Sequence, residues 1–120
     1  MRPPEVLKYL YDMRAASELL TRFIAGKGLG DYLADSMLRS AVERQFEIIG
    51  EALNRALTFD PSLALRITNC SRIIAFRNRL IHGYATVSDE VVWGVVEGGL
   101  PALRREIETV LAEGEAQGKR

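Results

Sequence analysis

The sequence predicts an all-α protein of four long helices and a short fifth one, and three observations support this. Apolar residues recur at helical spacing in long blocks, and glycines and prolines separate the blocks. No segment shows the sustained alternation of apolar and polar residues that is typical of a strand. The chain has 120 residues, which suffices for one hydrophobic core but not for two. We therefore expect one domain over residues 1–115 and a frayed tail at 116–120.

The first half of the chain predicts two long helices. One spans residues 5–24 behind a pair of prolines, and three glycines between 26 and 30 end it. The other begins at residue 31 or 32, ends at 57, and has apolar residues on more than one side, as expected of a central helix or an oligomer interface. Gly50 within it costs about 1 kcal/mol relative to alanine. We expect the close approach of a neighbouring backbone to explain this glycine.

The second half begins with a loop at 58–61 and a short helix at 61–67. The next helix is predicted to start at a cap formed by Asn69 or Ser71 and to run to about His82. Gly83 follows and supplies the left-handed residue that commonly ends a helix.

The last predicted helix begins at Ser88, which is followed by two acids, and ends near residue 113. Pro101 follows a pair of glycines inside this stretch and is expected to kink or break the helix.

Composition gives no support for several classes of protein. The chain contains 16 Lys and Arg and 16 Asp and Glu, so its net charge gives no support for binding nucleic acid or membranes. No apolar run approaches the roughly 18 residues of a membrane span, and the N-terminus lacks the apolar region of a signal peptide, so a cytoplasmic protein is expected. A lone Cys70, expected to be buried, and a single histidine offer no zinc site, and we expect no cofactor.

One segment departs from this neutral balance. No acidic residue lies between Asp60 and Asp89, and that interval contains four arginines and the only histidine: Arg66, Arg72, Arg77, Arg79 and His82. Such a basic island is a plausible phosphate-binding surface. The alternative is that acids on other helices neutralise it, with Glu43, Glu47 and Glu51 the candidates.

Helical geometry singles out Arg77 within this island. At about 100° per residue, Arg77 falls in the middle of an apolar arc, while Arg72, Arg79 and His82 fall on the opposite, polar side. A charge inside an apolar face is costly unless it is paired or functional, and arginine cannot lose its proton. Arg77 therefore has either an anionic ligand or a carboxylate partner, Glu47 or Glu51.

His82 lies at the end of the same helix. Histidine exchanges protons near neutral pH and is the commonest general acid or base, although an exposed capping histidine is the simpler explanation. Five positions along an ideal helix separate Arg77 and His82 by about 140°. The two side chains would converge if the helix unwinds at Gly83 or if a second subunit completes the site.

Residues 77–84, Arg-Asn-Arg-Leu-Ile-His-Gly-Tyr, resemble the Arg-x-x-x-x-His-x-Tyr signature of HepT-like proteins in the HEPN superfamily. Residues 44–52 resemble the upstream helix of that family with its Glu-Ile-Ile-Gly-Glu-Ala core. Residues 91–103 resemble its last helix, with a tryptophan and a Leu-Pro step. The resemblance spans nearly the whole chain, with its motifs in the expected order.

The resemblance implies an antiparallel HEPN-like bundle that forms a two-fold homodimer, with the Arg and His of both subunits lining a cleft at the interface. It implies an endoribonuclease that uses the ribose 2′-hydroxyl as nucleophile and needs no metal. His82 would act as general base or acid, and Arg77 would hold the scissile phosphate. Asn78 would position the phosphate or the histidine, while Arg79 and Arg72 would contact RNA with weaker support.

The resemblance also implies a partner. HepT toxins are typically encoded beside an MNT-type nucleotidyltransferase antitoxin, which transfers AMP to the motif tyrosine, here Tyr84. An AMP group two residues from His82 adds bulk and negative charge, and would repel an RNA phosphate. The expected system is a type VII-like toxin–antitoxin pair.

Two alternatives to a nuclease stay open at this point. One is a non-catalytic HEPN module that binds nucleotide or protein and docks on a nucleotidyltransferase, which the neutral net charge favours. The other is a helical dimer without a ligand. A short ion pair, shielded from water, between Arg77 and Glu47 or Glu51 would support it. Ordinary packing of the tyrosine is the corresponding alternative for Tyr84.

Overall fold

The computed structural model describes residues 2–82 and 87–118, with side chains described up to residue 113. Within these ranges the chain is helical and contains no strand, which confirms the predicted all-α class. The elements are α1 (Pro4–Ile24), α2 (Leu29–Ala34), α3 (Ser36–Phe59), a 3₁₀ helix (Pro61–Leu65), α4 (Cys70–His82), α5 (Asp89–Gly98) and α6 (Leu100–Gly118). None of the described helices has the length and apolar character needed to cross a membrane.

Helix α3 lies at the centre of the fold, which is one of the two roles that its apolar pattern predicts. It packs against α1, α2, α4 and the 3₁₀ helix, while α6 packs against α1 and α5. The core consists of apolar side chains from every helix, and its largest fully buried members include Leu10, Met13, Leu20, Tyr32, Ile49, Leu53, Leu63, Ile67, Ile107 and Leu111. Residues at helical spacing on α3 are therefore buried on several sides, and this helix holds α4 in place.

The prediction of one continuous helix from residue 31 or 32 to 57 is wrong. The chain forms the short α2 and then restarts at Ser36, because the Asp35 carboxylate accepts hydrogen bonds from the backbone N–H groups of Met37 (3.0 Å) and Leu38 (3.1 Å). An aspartate in this position caps a helix start and stabilises the break. Gly28 N–H likewise donates to Asp31 Oδ2 (2.9 Å) at the start of α2.

The predicted break near Pro101 is confirmed, but it falls just before the proline. Helix α5 ends at Gly98, and α6 begins at Leu100, so Pro101 occupies the first turn of the new helix. Proline is tolerated there because the first N–H groups of a helix have no partner within it. Ser88 caps α5, with its hydroxyl oxygen accepting from Val91 N–H (3.2 Å), as predicted.

Helix α4 begins at Cys70, directly after Asn69, which adopts a left-handed conformation with φ of 61°. Asparagine is among the few residues that tolerate this region. Cys70 is buried as expected, and its thiol lies 3.2 Å from the carbonyl oxygen of Ile67 as a donor. Burial raises the pKa of the Cys70 thiol, which agrees with a structural cysteine.

Candidate active site

The Arg77 side chain lies against the backbone of α3 at Gly50. A Cβ built on Gly50 would overlap Arg77 Cβ and would lie 2.7 Å from Arg77 Cγ, with the Ile73 carbonyl oxygen next at 3.5 Å. The close approach of α4 therefore explains why residue 50 is a glycine. The prediction named a neighbouring backbone, whereas the nearest atoms belong to the Arg77 side chain. The Arg77 side chain is 20% exposed, which agrees with its predicted place in a mostly apolar arc.

The Arg77 guanidinium is held by two side chains. Nη2 donates to the Glu51 carboxylate, and Nη1 donates to Asn78 Oδ1 at 2.6 Å. Nε is buried and has no hydrogen-bond partner within the described part of the chain. Of the two carboxylate partners that the sequence leaves open for Arg77, the structure selects Glu51.

Glu51 also binds a second guanidinium. Arg55 Nε donates to Glu51 Oε1 at 2.7 Å, so one carboxylate lies between two arginines. The hydrogen bond from Arg55, together with the charge of Arg77, lowers the pKa of the Glu51 carboxyl. Glu51 is therefore ionised at neutral pH, and this double contact fixes it.

These groups line an open cleft of about 440 Å³ between α1, α3 and α4. Its charged residues alternate in sign and form pairs, including Lys8 with Asp12 (3.3 Å) and Arg44 with Glu47 (3.3 Å). The Glu51 side chain is 36% exposed, so its pair with Arg77 is not the dry buried pair that would mark a purely structural arginine. Arg77 is one of the residues that line this cleft, and a fifth of its side chain is exposed.

His82 is the last residue of α4, and it is exposed. Because α4 stays helical to this residue, the five positions between Arg77 and His82 separate them by about 140° around the helix axis. Among the described residues, Arg77 donates hydrogen bonds to Glu51 and Asn78. The described chain thus supplies an anchored guanidinium and an exposed imidazole, with no hydrogen bond between them among the described residues.

The other arginines of the basic island lie on a different surface. Arg72 and Arg79, both exposed, line a groove of about 590 Å³ between α4 and the α5–α6 pair. Phe76, Val95 and Leu103 make the groove largely apolar, and Phe76 meets Phe46 edge to face at 5.4 Å. The structure therefore separates the predicted site residues, with Arg77 in the cleft and Arg72 and Arg79 at the groove.

The remaining arginine of the basic island is Arg66. Arg66 pairs with Glu113 of α6 at 2.7 Å, so an acid from another helix neutralises this part of the basic island. Tyr84 lies outside the described residues. Arg55 was not singled out from the sequence, although its position four residues after Glu51 is typical of a helical ion pair. No group of three or more potential metal ligands occurs within the described part of the chain.

A family model matches most of the residues that form these two surfaces. The family model described as ribonuclease HepT-like matches residues 13–59 and 66–110, which include α3, α4 and α5 with the arginine and histidine of the motif. The matched residues are more than half of the chain.

Individual proteins similar to this chain also carry ribonuclease names. The chain is 33% identical over 104 residues to a protein named as a probable ribonuclease HepT from Thermococcus cleftensis, covering 83% of this chain and 90% of that protein. It is 28% identical over 110 residues to a candidate RNase, MJ1380, of Methanocaldococcus jannaschii, covering 92% of this chain and 100% of that protein. A second candidate RNase of the same organism, MJ0127, is 26% identical over 117 residues, 98% of this chain and 96% of its own length. No solved structure matches the chain significantly.

Proposed function

The chain belongs to the ribonuclease HepT-like family, and on that premise we propose that it is a metal-independent endoribonuclease, with residues 1–115 as its domain. The single observation that supports this best is the Arg77 guanidinium, which lies at the wall of an open cleft with N–H groups left over for an anion. An arginine so placed is suited to binding a phosphate in two-point contact.

In the proposed reaction His82 removes the proton of a ribose 2′-hydroxyl. The 2′-oxygen attacks the adjacent phosphorus, the bond from phosphorus to the 5′-oxygen breaks, and an acid protonates the leaving oxygen. The products are a 2′,3′-cyclic phosphate and a 5′-hydroxyl. Arg77 stabilises the charge that develops on the phosphate oxygens, and Asn78, which accepts from Arg77 Nη1 at 2.6 Å, keeps the guanidinium in place.

We propose that the working form is a homodimer. His82 and Arg77 of one protomer diverge, so a second copy that places its imidazole beside Arg77 would complete the site. Exposed apolar residues near the end of α4 and on α5, Ile81 (43% exposed) and Val91 (49% exposed), fit burial against another chain. Arg72 and Arg79 would then contact the flanking RNA backbone from the groove.

The proposed regulation acts through Tyr84, two residues after His82. An MNT-type nucleotidyltransferase antitoxin would transfer AMP to its hydroxyl, and the added charge would repel the RNA phosphate. In this proposal the chain is the toxin of a type VII-like pair in the cytoplasm. Mass spectrometry after incubation with such a partner and ATP should show one added AMP, which Tyr84→Phe abolishes. An unshifted wild-type mass would contradict the modification.

Cleavage of RNA by the purified protein in the presence of EDTA tests the catalytic assignment. Arg77→Ala and His82→Ala should each lower the cleavage rate by about 10²–10⁴-fold, because each removes a group that acts in the transition state. Arg22→Ala, which removes an exposed arginine at the end of α1, is the matched control and should leave the rate unchanged. Cleavage that survives both active-site substitutions would contradict the proposal.

The pair between Arg77 and Glu51 favours a second candidate function. Because the guanidinium already holds a carboxylate and the chain is neutral overall, the protein would serve as a non-catalytic module that binds nucleotide or docks on the nucleotidyltransferase. Failure of the unmodified wild-type protein to cut any RNA, together with measurable nucleotide or partner binding, would select this alternative.

A further inference from the structure

Two adjacent residues of α3 contact the Arg77 side chain at its two ends. Gly50 lies against the Cβ and Cγ atoms, where any side chain would overlap them, and Glu51 accepts a hydrogen bond from Nη2. We propose that Gly50 and Glu51 form a seat that positions the Arg77 guanidinium for the scissile phosphate. Glu51 is in this view a positioning residue, since it acts through Arg77. The inference rests on the proposed ribonuclease function and deepens it.

The hydrogen bonds of Arg77 suit this role. A guanidinium has five N–H groups, one on Nε and two on each terminal nitrogen. Glu51 takes one N–H of Nη2 and Asn78 takes one N–H of Nη1, so each terminal nitrogen keeps one donor. The two remaining N–H groups can donate to phosphate oxygens. The seat thus fixes the guanidinium while leaving a pair of donors for the substrate.

Glu51 is itself fixed from its other side. Arg55 Nε donates to Glu51 Oε1 at 2.7 Å, one helical turn further along α3. Glu51 and Arg55 both belong to α3, the central helix of the fold, which packs against α1, α2 and α4. A rigid support matters because a displacement of about 1 Å at a catalytic group can lower a rate about a hundredfold.

If Glu51 competed with the RNA phosphate for Arg77, its substitution would have the opposite kinetic effect. A carboxylate between two guanidiniums resembles a bound phosphate, so it would compete with RNA for Arg77. Removing its charge would then raise RNA affinity and cleavage. The observation against competition is that Glu51 and Asn78 together leave a donor on each terminal nitrogen, so the phosphate needs no displacement.

The kinetic test compares Glu51→Gln with Glu47→Gln in the full-length protein. Glu47 lies one turn earlier on α3 in the same cleft and pairs with Arg44, so its substitution removes the same charge without touching Arg77. Glu51→Gln should lower kcat for RNA cleavage by about tenfold or more with KM changed by less than about threefold, and Glu51→Asp should restore part of the rate. Glu47→Gln should leave both constants within about twofold. A Glu51→Gln rate equal to or above that of Glu47→Gln would overturn the proposal.

A second readout needs no activity. Arg77 Nε is buried, so its N–H should give a slowly exchanging resonance in ¹⁵N-labelled protein, assigned by its loss in Arg77→Lys. Glu51→Gln should speed its exchange with water, while Glu47→Gln should not. An unchanged Arg77 resonance in Glu51→Gln overturns the seat. A changed resonance in a protein that cuts no RNA confirms the seat, and the ribonuclease proposal alone then fails.

Discussion

The two sides of α4 differ in chemistry although they share thirteen residues of one helix. The side toward α1 and α3 forms a small cleft in which each charge lies near its opposite, and it contains Arg77. The side toward α5 and α6 forms a larger, mostly apolar groove with Arg72 and Arg79 at its edge. Backbone proximity and ion pairs hold the side chains of the cleft, whereas aromatic and aliphatic side chains form most of the groove. Under the proposed function, the cleft would position the reacting phosphate and the groove would contact the flanking RNA.

Two glycines provide the sharpest test of this difference, and Gly50→Ala should have the largest effect. The added Cβ would overlap Arg77 Cβ, which cannot move far because it is attached directly to the α4 backbone. We expect a loss of about 1–3 kcal/mol in the free energy of unfolding, despite the better helix propensity of alanine. Urea denaturation measures it, and a stability equal to that of wild type would show that the contact at α3 is loose.

Gly94→Ala is the matched substitution on the groove side. Nothing lies within 4 Å of a Cβ built at Gly94, which lies inside α5 and lines the groove. We expect a gain of up to about 1 kcal/mol, because alanine is the better helix former and meets no neighbour. Urea denaturation at low protein concentration checks it. Destabilisation that grows with protein concentration would indicate that the groove is covered in an assembly.

Glu51→Gln should give a smaller, pH-dependent loss. The pKa of Glu51 is lowered in the folded protein, so the charged form stabilises the fold above the unfolded pKa of about 4.3. That contribution disappears as the pH falls through the folded pKa. Since the pair is partly exposed, we expect a loss of up to about 1 kcal/mol at pH 7. Thermal unfolding from pH 3.5 to 7 checks this, and a difference that is independent of pH would contradict it.

Glu43→Gln, on the same helix, should have the opposite sign and the smallest effect. Burial, together with Asp89 and Glu47, raises the pKa of Glu43, so its charged form costs stability at neutral pH. Removing the charge should stabilise the fold at pH 7 by up to about 0.5 kcal/mol, and the gain should vanish below the unfolded pKa of about 4.3. Thermal unfolding of both proteins over this pH range measures the difference. Destabilisation at pH 7 would indicate a hydrogen bond that the carboxylate makes and the amide cannot.

Local patterns were sufficient where a residue's role depends on its chain neighbours. Ser88 as a helix cap, the break beside Pro101 and the burial of Cys70 all follow from such patterns. The division of α2 from α3 was missed although Asp35 is a good capping residue, because the surrounding apolar spacing continues across it. A cap inside a periodic stretch competes with the helix, and the sequence does not show which is favoured.

The sequence by itself determined that the chain is helical, that its second long helix has apolar residues on more than one side, and that a basic segment includes an arginine on an apolar arc. These properties depend on periodicity and on residue type. Tertiary structure alone decided that Glu51 and not Glu47 meets Arg77, that Gly50 accommodates its Cβ, and that Arg72 and Arg79 face a separate groove. The reason is physical: a wheel gives the direction of a side chain from its own helix, whereas its partner depends on how two helices pack.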